Sequence, residues 1–267
     1  MSGSARSETA FFRIEEDGLF HGNDPARGPW SADHCHAGPV TGLVARAAEN
    51  AAGPEKILTR LTLDVLRPVP LDGLRIETEI TRKSKTLTTT RVTVHDINGT
   101  VCVASSSMHL VRKELGDVPT APVDPPKFED FEPSKSVLIG ALHSKPAFAN
   151  FIDMAYRKGD PLRPGPKTVW MRVPALLEGE KVSPIQSVCA LADCGNGISW
   201  NEPPVRFGFM NTDLTLQIHR EPESDWLAAE ALSHWHGTGV GMSQAILHDM
   251  KGPIGVALQT LVLHPVK

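Results

Sequence analysis

The sequence is poor in cysteine, lacks a long apolar run and has no excess of positive charge. Four cysteines occur among 267 residues, without the paired spacing of metal ligands, so we expect reduced, packed thiols, no metal and no cofactor. No apolar stretch approaches the roughly 20 residues that span a bilayer, and the first residues lack the apolar core of a signal peptide. We therefore expect a cytoplasmic protein without a membrane span.

The charge balance and the absence of certain motifs argue against further classes of protein. The 27 basic residues are outnumbered by 31 acidic ones, for a formal net charge of −4. This balance gives no reason to expect nucleic acid or an anionic membrane as a partner. A Gly-x-Ser-x-Gly frame and a glycine-rich phosphate loop are absent as well. The hydrophobic share of 40% is sufficient for packed cores, so the chain is expected to fold.

The chain contains a long internal repeat. Arg67 and Arg220 are 153 residues apart, and so are His95 and His248. Around these pairs, apolar periodicity and glycines coincide over roughly fifty residues, and two copies are too few for a solenoid. The repeat therefore predicts one small domain that was duplicated and fused. At this offset, Gln259 corresponds to Ser106 and Asn211 corresponds to Leu58.

The first copy has the element order of an α+β unit in which a curved antiparallel sheet wraps around a helix. A short hairpin with its turn at Asp17-Gly18 precedes a helix that begins near Gly38 and ends near Gly53. Strands are predicted at 57–66, 74–82, 88–95 and 101–111. The order of hairpin, helix and successive strands is the basis of the predicted fold.

A proline-rich stretch separates the two copies. Five prolines occur between Arg112 and Lys135, which is typical of a semi-extended linker. The second copy is predicted to contain strands at 151–156 and 168–173, a turn region between them at 160–166, a helix at 184–199, and the copied strands from 209 onward. We therefore divide the chain into an N-terminal unit (1–112), a linker (113–140) and a C-terminal unit (141–267).

Three polar residues of the second copy lie in otherwise apolar elements. Asp193 interrupts an Ala-Leu-Ala run in the predicted helix, where a buried carboxylate needs hydrogen-bond partners. Gln259 lies in an apolar strand and offers both a donor and an acceptor. Asn211 opens an alternating strand, on the face opposite to Leu214 and Leu216. A surface position would also explain each residue alone, so polarity by itself identifies no site.

The sequences around these residues resemble the acyl-CoA thioesterase II family, whose members are double-hotdog proteins. The matching segments are Ala190-Leu191-Ala192-Asp193, Asn211-Thr212-Asp213 ahead of His219-Arg220, Val256-Ala257-Leu258-Gln259 and, in the first copy, His36-Ala37-Gly38. The likeness covers residues 10–264. It implies an α+β fold of two tandem hotdog units, each a curved antiparallel sheet wrapped around a long helix.

The resemblance also implies a reaction, the hydrolysis of fatty acyl-CoA thioesters. The implied catalytic residues are Asp193, Asn211 and Gln259, with Asp193 activating a water molecule that the two amides hold. The implied substrate-binding residues are His36, Gly38 and Thr212. Backbone N–H groups near Gly38, at a helix N-terminus, would meet the developing oxyanion. Because hotdog sheets commonly pair edge to edge, a dimer or trimer of this chain is expected by analogy.

One position departs from the family pattern. Asn211 replaces the family's threonine, and Thr212 faces the other side of the strand unless a bulge shifts the register. An asparagine amide can still donate and accept hydrogen bonds and so hold a water molecule. The departure favours, as an alternative function, a non-catalytic module that binds acyl-CoA or lipid.

Two further alternatives depend on histidines. Hydratases and dehydratases of this fold class use a catalytic histidine near Asp or Glu, but the position five residues after Asp193 is Ile198. His34, Cys35 and His36 have the residue types of metal ligands, but no second ligand cluster accompanies them. Hydrolysis of acyl-CoA is therefore preferred to both.

Overall fold

The computed structural model describes residues 9–134, 138, 143–159, 163–203 and 205–266. Parts of the linker predicted at 113–140 and of the turn predicted at 160–166 lie outside these residues.

Antiparallel strands make up most of the regular structure. The strands are β1 (Phe12–Ile14), β2 (Phe20–Gly22), β3 (Lys56–Val65), β4 (Arg75–Lys83), β5 (Leu87–His95), β6 (Val101–Val111), β7 (Phe131–Ser134), β8 (Asp153–Arg157), β9 (Lys167–Arg172), β10 (Phe207–Asn211), β11 (Asp213–Ile218), β12 (Leu227–Trp235), β13 (Val240–Asp249) and β14 (Gly252–Pro265). The α-helices in the described residues are α1 (Ala37–Ala52), α2 (Pro184–Ala192) and α3 (Gly195–Ile198). The predicted hairpin, first helix and strands of the first copy are confirmed.

Strands β3 to β14 form one antiparallel sheet, and β1 and β2 form a separate hairpin. The order is β4-β5-β6-β3-β11-β14-β13-β12-β9-β8-β7, and β10 also pairs with β14. The two copies meet where β3 pairs with β11, with Leu63 opposite Leu214 and Leu61 opposite Leu216. Equivalent strands of the repeat therefore join the two halves into a continuous sheet.

The helices pack against this sheet and against each other. α1 contacts β3, β4 and β5, whereas α2 contacts β11, β12 and β14. On α1, Val40, Leu43, Val44 and Ala48 recur at helical spacing and are all buried. These residues belong to a core of buried side chains that extends through both copies.

The repeat is out of register by one residue in its last strand. Thr90 pairs with Ser107 in the first copy, and Ser243 pairs with Gln259 in the second. Thr90 and Ser243 are 153 residues apart, but Ser107 and Gln259 are 152 apart, because the turn before β14 is one residue shorter. The structural counterpart of Gln259 is therefore Ser107, and the correspondence with Ser106 was wrong.

The single helix predicted at 184–199 is interrupted. Ser183 and Gln186 form a capping box at the start of α2, which ends at Ala192. Asp193 follows as the C-terminal cap, and α3 occupies four residues beyond it. The two glycines of α3, Gly195 and Gly197, have low helix propensity. The second half of the chain therefore has two short helices where one long helix was expected, and Asp193 lies at their junction.

Residues 131–134 of the predicted linker are part of the sheet. A 3-10 turn at Phe128–Asp130 leads into β7, which pairs with β8. Proline-rich composition predicts an extended chain, but it does not show that an extended segment pairs with a neighbouring strand. The division at 113–140 remains our proposal for the boundary between the units.

Candidate active site

The junction between α2 and α3 positions the carboxylate of Asp193. The Asp193 N–H donates to the carbonyl of Cys189 at 3.3 Å, which closes the last turn of α2. The Asp193 side chain is only 3% exposed. A buried carboxylate is strongly destabilising unless it has partners. Three partners surround it, and each comes from a different element.

Asn211, the last residue of β10, provides the closest contact. Its Nδ2 donates to Asp193 Oδ1 at 2.6 Å. Asn211 pairs with Leu261 of β14, whereas Thr215 pairs with Leu258, so the β10–β11 segment contains one extra residue. Because of this β-bulge, Asn211 faces the helices, and Leu214 faces the same side. The expectation that Asn211 and Leu214 lie on opposite faces was therefore wrong.

The bulge is held by the side chain of Asp213. Asp213 Oδ1 accepts from the N–H of Thr260 at 2.7 Å, so a carboxylate replaces a carbonyl where the regular ladder is interrupted. The first copy has the same irregularity at Thr59, 153 residues before Thr212. There the position of Asn211 is occupied by Leu58, which is buried among apolar residues.

Gln259 reaches Asp193 from β14. Its Nε2 donates to the backbone carbonyl of Asp193 at 2.8 Å and to Oδ1 at 3.2 Å. Its Oε1 accepts from the N–H of Asn196 at 3.4 Å. With both ends of its amide engaged, Gln259 is fixed in one orientation and holds the junction of α2 and α3 against the sheet.

The start of α1 supplies the third partner, His36. Its Nδ1 lies 2.9 Å from Asp193 Oδ2 and 3.2 Å from the N–H of Gly38. One nitrogen cannot donate to the carboxylate and accept from Gly38 at once. We assign the proton to Nδ1, because the contact with the carboxylate oxygen is the shorter of the two. The ring of His36 stacks on Phe148, with centroids 4.2 Å apart.

Gly38 allows the two helices to approach closely. A Cβ at this position would lie 3.0 Å from Ala190 Cα and 3.3 Å from Asp193 Cβ. The absence of a side chain therefore brings the start of α1 against the end of α2. It also brings His36 to Asp193.

The site opens into a small cavity of about 70 Å³. Its polar wall is formed by Asp193, Asn211, Gln259, His36 and Asn196. Its other walls are mostly apolar and aromatic, and include Trp30, Leu138, Phe148, Phe209 and Leu261. A volume of this size holds a few water molecules beside the carboxylate.

The cavity also borders a thiol, that of Cys194. Burial, together with the nearby charge of Asp193, raises the pKa of Cys194 well above its usual value. The thiol is therefore protonated at neutral pH and is a poor nucleophile. This leaves the carboxylate of Asp193 and the imidazole of His36 as candidate bases at the cavity.

The structure does not bring Thr212 to this cavity. Thr212 is exposed, and its hydroxyl lies 3.4 Å from Asp213 Oδ1. Cys35, between His34 and His36, directs its thiol to the carbonyl of Pro70 at 3.3 Å. Among the residues that the structure describes, no group of His, Cys, Asp and Glu side chains has the arrangement of a metal site.

Sequence reasoning singled out Asn196 and His36 as individual residues but missed their contacts. Asn196 accepts from Trp235 Nε1 at 3.0 Å and is 3% exposed. As a polar residue within an apolar helix, it carried the same signal as Asp193. His36 was expected to bind substrate, and no pattern in the sequence connected it with Asp193, which is 157 positions away. Only the packing of α1 against α2 joins them.

Comparison with protein families gives two matches in chain order. The model of the acyl-CoA thioesterase N-terminal domain matches residues 26–109, and that of the C-terminal domain matches residues 116–263. The chain belongs to the acyl-CoA thioesterase family. The resemblance noted in the sequence motifs is confirmed by these matches.

Solved structures similar to this acyl-CoA thioesterase family member show the same fold. A candidate thioesterase from Novosphingobium aromaticivorans has 18% identity and a TM-score of 0.71, over 95% of this chain and 98% of that chain. A hot dog fold protein from Alicyclobacillus acidocaldarius has 16% identity and a TM-score of 0.68, over 95% and 96%. The acyl-CoA thioesterase II of Mycobacterium marinum has 17% identity and a TM-score of 0.60, over 97% of each chain. The predicted hotdog fold is confirmed.

The remaining comparisons are negative. No curated protein matches the chain. Within the described residues, no helix combines the length and the apolar character that crossing a membrane requires.

Proposed function

We propose that this chain hydrolyses acyl-CoA thioesters to a free acid and CoA, with Asp193 as general base. The observation that carries the proposal is the convergence of Asn211, Gln259 and His36 on one buried carboxylate that borders a cavity. The family of the chain supports thioester hydrolysis as the reaction, and this convergence supports Asp193 as the base.

Asp193 would accept a proton from a water molecule held in the cavity. The water oxygen attacks the thioester carbonyl carbon, a C–O bond forms, and the carbonyl oxygen becomes an oxyanion. Collapse of this intermediate breaks the C–S bond, and the proton passes from Asp193 to the departing CoA sulfur. A positioned general base contributes about 10²–10⁴-fold to the rate of such a step.

Asn211 and Gln259 would orient the carboxylate and the water. Both donate to Oδ1 of Asp193, while His36 contacts Oδ2, so the carboxylate plane is fixed before substrate binds. Pre-organisation of this kind lowers the barrier because no reorganisation is needed during the reaction. Asn211 therefore takes the place of the family's threonine as a donor to the base.

The test is the Asp193→Asn variant, assayed for thiol release from acyl-CoA substrates of two to sixteen carbons. Turnover should fall about 10²–10⁴-fold while the thermal unfolding midpoint stays close to that of the wild type. Asp64→Asn, a change at an exposed strand residue, is the matched control and should retain full activity. Unchanged turnover in Asp193→Asn would remove Asp193 from the mechanism. A wild-type chain that binds acyl-CoA without releasing thiol would indicate the non-catalytic module instead.

The contact between His36 and Asp193 favours one second candidate, the hydration of enoyl-CoA. The sequence lacked a histidine in the expected helix, but the structure supplies one from the start of α1. A histidine paired with a carboxylate is a general base of the kind that adds water to a double bond. Loss of enoyl absorbance without thiol release would support hydration, and thiol release alone would support hydrolysis.

A further inference from the structure

The outer face of the sheet, on the side away from the helices, is apolar over β13 and β14. Alternate residues of both strands point to this face. Six of them are apolar and between 38% and 57% exposed: Val240, Met242, Ile246, Val256, Leu258 and Val262. We call these six residues the outer patch. A contiguous apolar surface of this kind marks a site of interaction more often than a surface that stays in water.

The equivalent strands of the first copy carry smaller or polar side chains on the same face. The registers of β5 with β6 and of β13 with β14 set Thr93 against Ile246 and Ser106 against Leu258. Polar residues on one face are typical of an antiparallel sheet that is solvated on that side. The outer patch is therefore a property of the second copy alone, and the fold that the two copies share does not require it.

The chain itself covers the adjoining part of the outer face. Phe128, in the turn before β7, lies over Trp170 of β9, with ring centroids 5.4 Å apart, and its ring is 5.1 Å from that of Trp226. Trp170 is fully buried as a result. The outer patch receives no comparable cover from the residues that the structure describes.

One row of cross-strand neighbours crosses the outer patch and ends in opposite charges. In order, the row contains Arg60 on β3, Gln217 on β11, Val256 on β14, Ile246 on β13 and Glu230 on β12. Since neighbouring strands lie about 4.8 Å apart, the two charged ends are about 19 Å apart. They are too distant to pair with each other within one chain.

The cation at one end of this row has no carboxylate partner among the described residues. The Nε of Arg60 also lacks a hydrogen-bond partner there. At the other end, the side chain of Glu230 is 42% exposed and contacts His248. A carboxylate from outside the chain would therefore satisfy Arg60, and Glu230 is open to a cation from outside.

Two open grooves lie on either side of β14 on this face. One, of about 510 Å³, is bordered by Arg60, Gln217 and Val256 among other residues. The other, of about 650 Å³, is bordered by Glu230, Ile246 and Val256 among others. The grooves give room for the side chains of a facing sheet, and each is bordered by one charged end of the row.

We propose that the outer patch is the interface at which two copies of this chain pack their sheets face to face, about a two-fold axis that runs along β14. This axis exchanges the two ends of the row, so Arg60 of each copy faces Glu230 of the other. An isologous contact of this kind closes as a dimer. Sheets packed face to face lie about 10 Å apart, a gap that Arg and Glu side chains reach across together.

The first experiment measures the mass of the full chain by sedimentation velocity over a range of micromolar concentrations. The wild type should have the mass of two chains. Ile246→Lys places a lysine of each copy in the apolar contact and should raise the dissociation constant more than about 100-fold. Thr93→Lys, the same change at the equivalent position of the first copy, is the matched control and should leave the dimer intact.

The second experiment tests the orientation of the two copies by charge reversal. Arg60→Glu and Glu230→Arg should each weaken the dimer about tenfold or more, because like charges then face each other. The two changes combined should return the dissociation constant to within about threefold of the wild type, since each copy again presents opposite charges. A purely structural effect of either change would not be reversed by the other.

Three results would overturn the proposal. The first is a wild type that stays monomeric at the highest concentration or forms a trimer. The second is a dimer that Ile246→Lys leaves intact, which would assign the association to another surface, such as a sheet edge. The third is a double charge reversal that is as weak as the single ones, which would overturn the two-fold along β14. Thioester hydrolysis at Asp193, on the other face of the sheet, is tested independently by the release of thiol.

Discussion

Single residues distinguish the copy that supplies Asp193, Asn211 and Gln259 from the copy that supplies only His36 to the polar wall of the candidate site. Around the bulge, Asn211 of the second copy corresponds to Leu58 of the first, and Gln259 corresponds to Ser107. The hydroxyl oxygens of Ser107 and Thr90 lie 2.6 Å apart, so Ser107 is already hydrogen-bonded. The first copy thus places an apolar and an already bonded side chain where the second has two amides that donate to a carboxylate.

This contrast gives a prediction at Asn211. Asn211→Thr restores the family's residue and a hydroxyl donor, so turnover should stay within about tenfold of the wild type. Asn211→Leu introduces the first copy's residue and leaves Asp193 Oδ1 without its nearest donor, at 2.6 Å in the wild type. Its kcat should fall about 10–100-fold, since a hydrogen bond to a charged group contributes about 1.5–3 kcal/mol. Steady-state kinetics of both variants provide the measurement, and equal activity of the leucine variant would contradict a role for Asn211.

At the scale of elements, the bulge between β10 and β11 determines which side chain enters the cavity. The extra residue turns Asn211 inward and leaves Thr212 in solvent. The alternation of polar and apolar residues was read correctly from Asp213 onward, where Leu214 and Leu216 are buried. The same alternation gave the wrong face for Asn211, because one inserted residue at Thr212 reverses the side of the sheet on which the preceding residues lie.

We therefore expect the side chain of Asp213 to position Asn211 by holding the bulge. Asp213→Ala removes the acceptor for the Thr260 N–H, loosens the bulge and should lower turnover about tenfold, with a loss of stability of about 1–3 kcal/mol. Asp64→Ala is the control, since Asp64 lies directly opposite in β3 and is exposed. Combining Asp213→Ala with Asn211→Leu should add little further loss of kcat if both act through Asn211. Full additivity of the two losses would contradict that connection.

At the scale of the whole molecule, a buried histidine of the first half makes the stability of the fold sensitive to acid. His109, on β6, is fully buried, and burial lowers its pKa to about 4, with a smaller contribution from Lys56. Unfolding exposes the imidazole, whose pKa then returns to about 6.5. Its structural counterpart in the second copy is Leu261, 152 residues later. The first half therefore contains an acid-sensitive group at a position where the second half has none.

The difference between these two pKa values makes the fold less stable in acid. The folded state takes up the His109 proton only near pH 4, whereas the unfolded state takes it up near pH 6.5. The stabilisation associated with neutral His109 is thus complete above about pH 6.5 and is lost as the pH falls towards 4. His109→Leu should reduce the acid-induced loss of unfolding free energy by about 3 kcal/mol over this window, as measured by urea unfolding at several pH values. His219→Leu, at an exposed histidine, is the control, and the same acid loss in His109→Leu and the wild type would contradict the assignment.

The association of the molecule with further copies stays a prediction, as do its cytoplasmic location and the boundary between its units. What the structure establishes is the arrangement within one chain. β3 and β11 join the halves of the sheet, and α1 and α2 pack together at Gly38. The site includes residues from both halves, since His36 belongs to the first and Asp193 to the second. This is a physical reason for keeping the two halves in one polypeptide.

The sequence by itself determined the duplication, the order of helices and strands, the family, and the candidates Asp193, Asn211 and Gln259. These follow from periodicity, glycine turns and polar residues in apolar elements, all of which are local patterns. Tertiary structure decided the break after Ala192, the bulge at Thr212, the contact of His36 with Asp193, and the contact of Asn196 with Trp235. Those features depend on distances between residues far apart in the chain, and on which donors are already engaged, and neither quantity is encoded in the spacing of neighbouring residues.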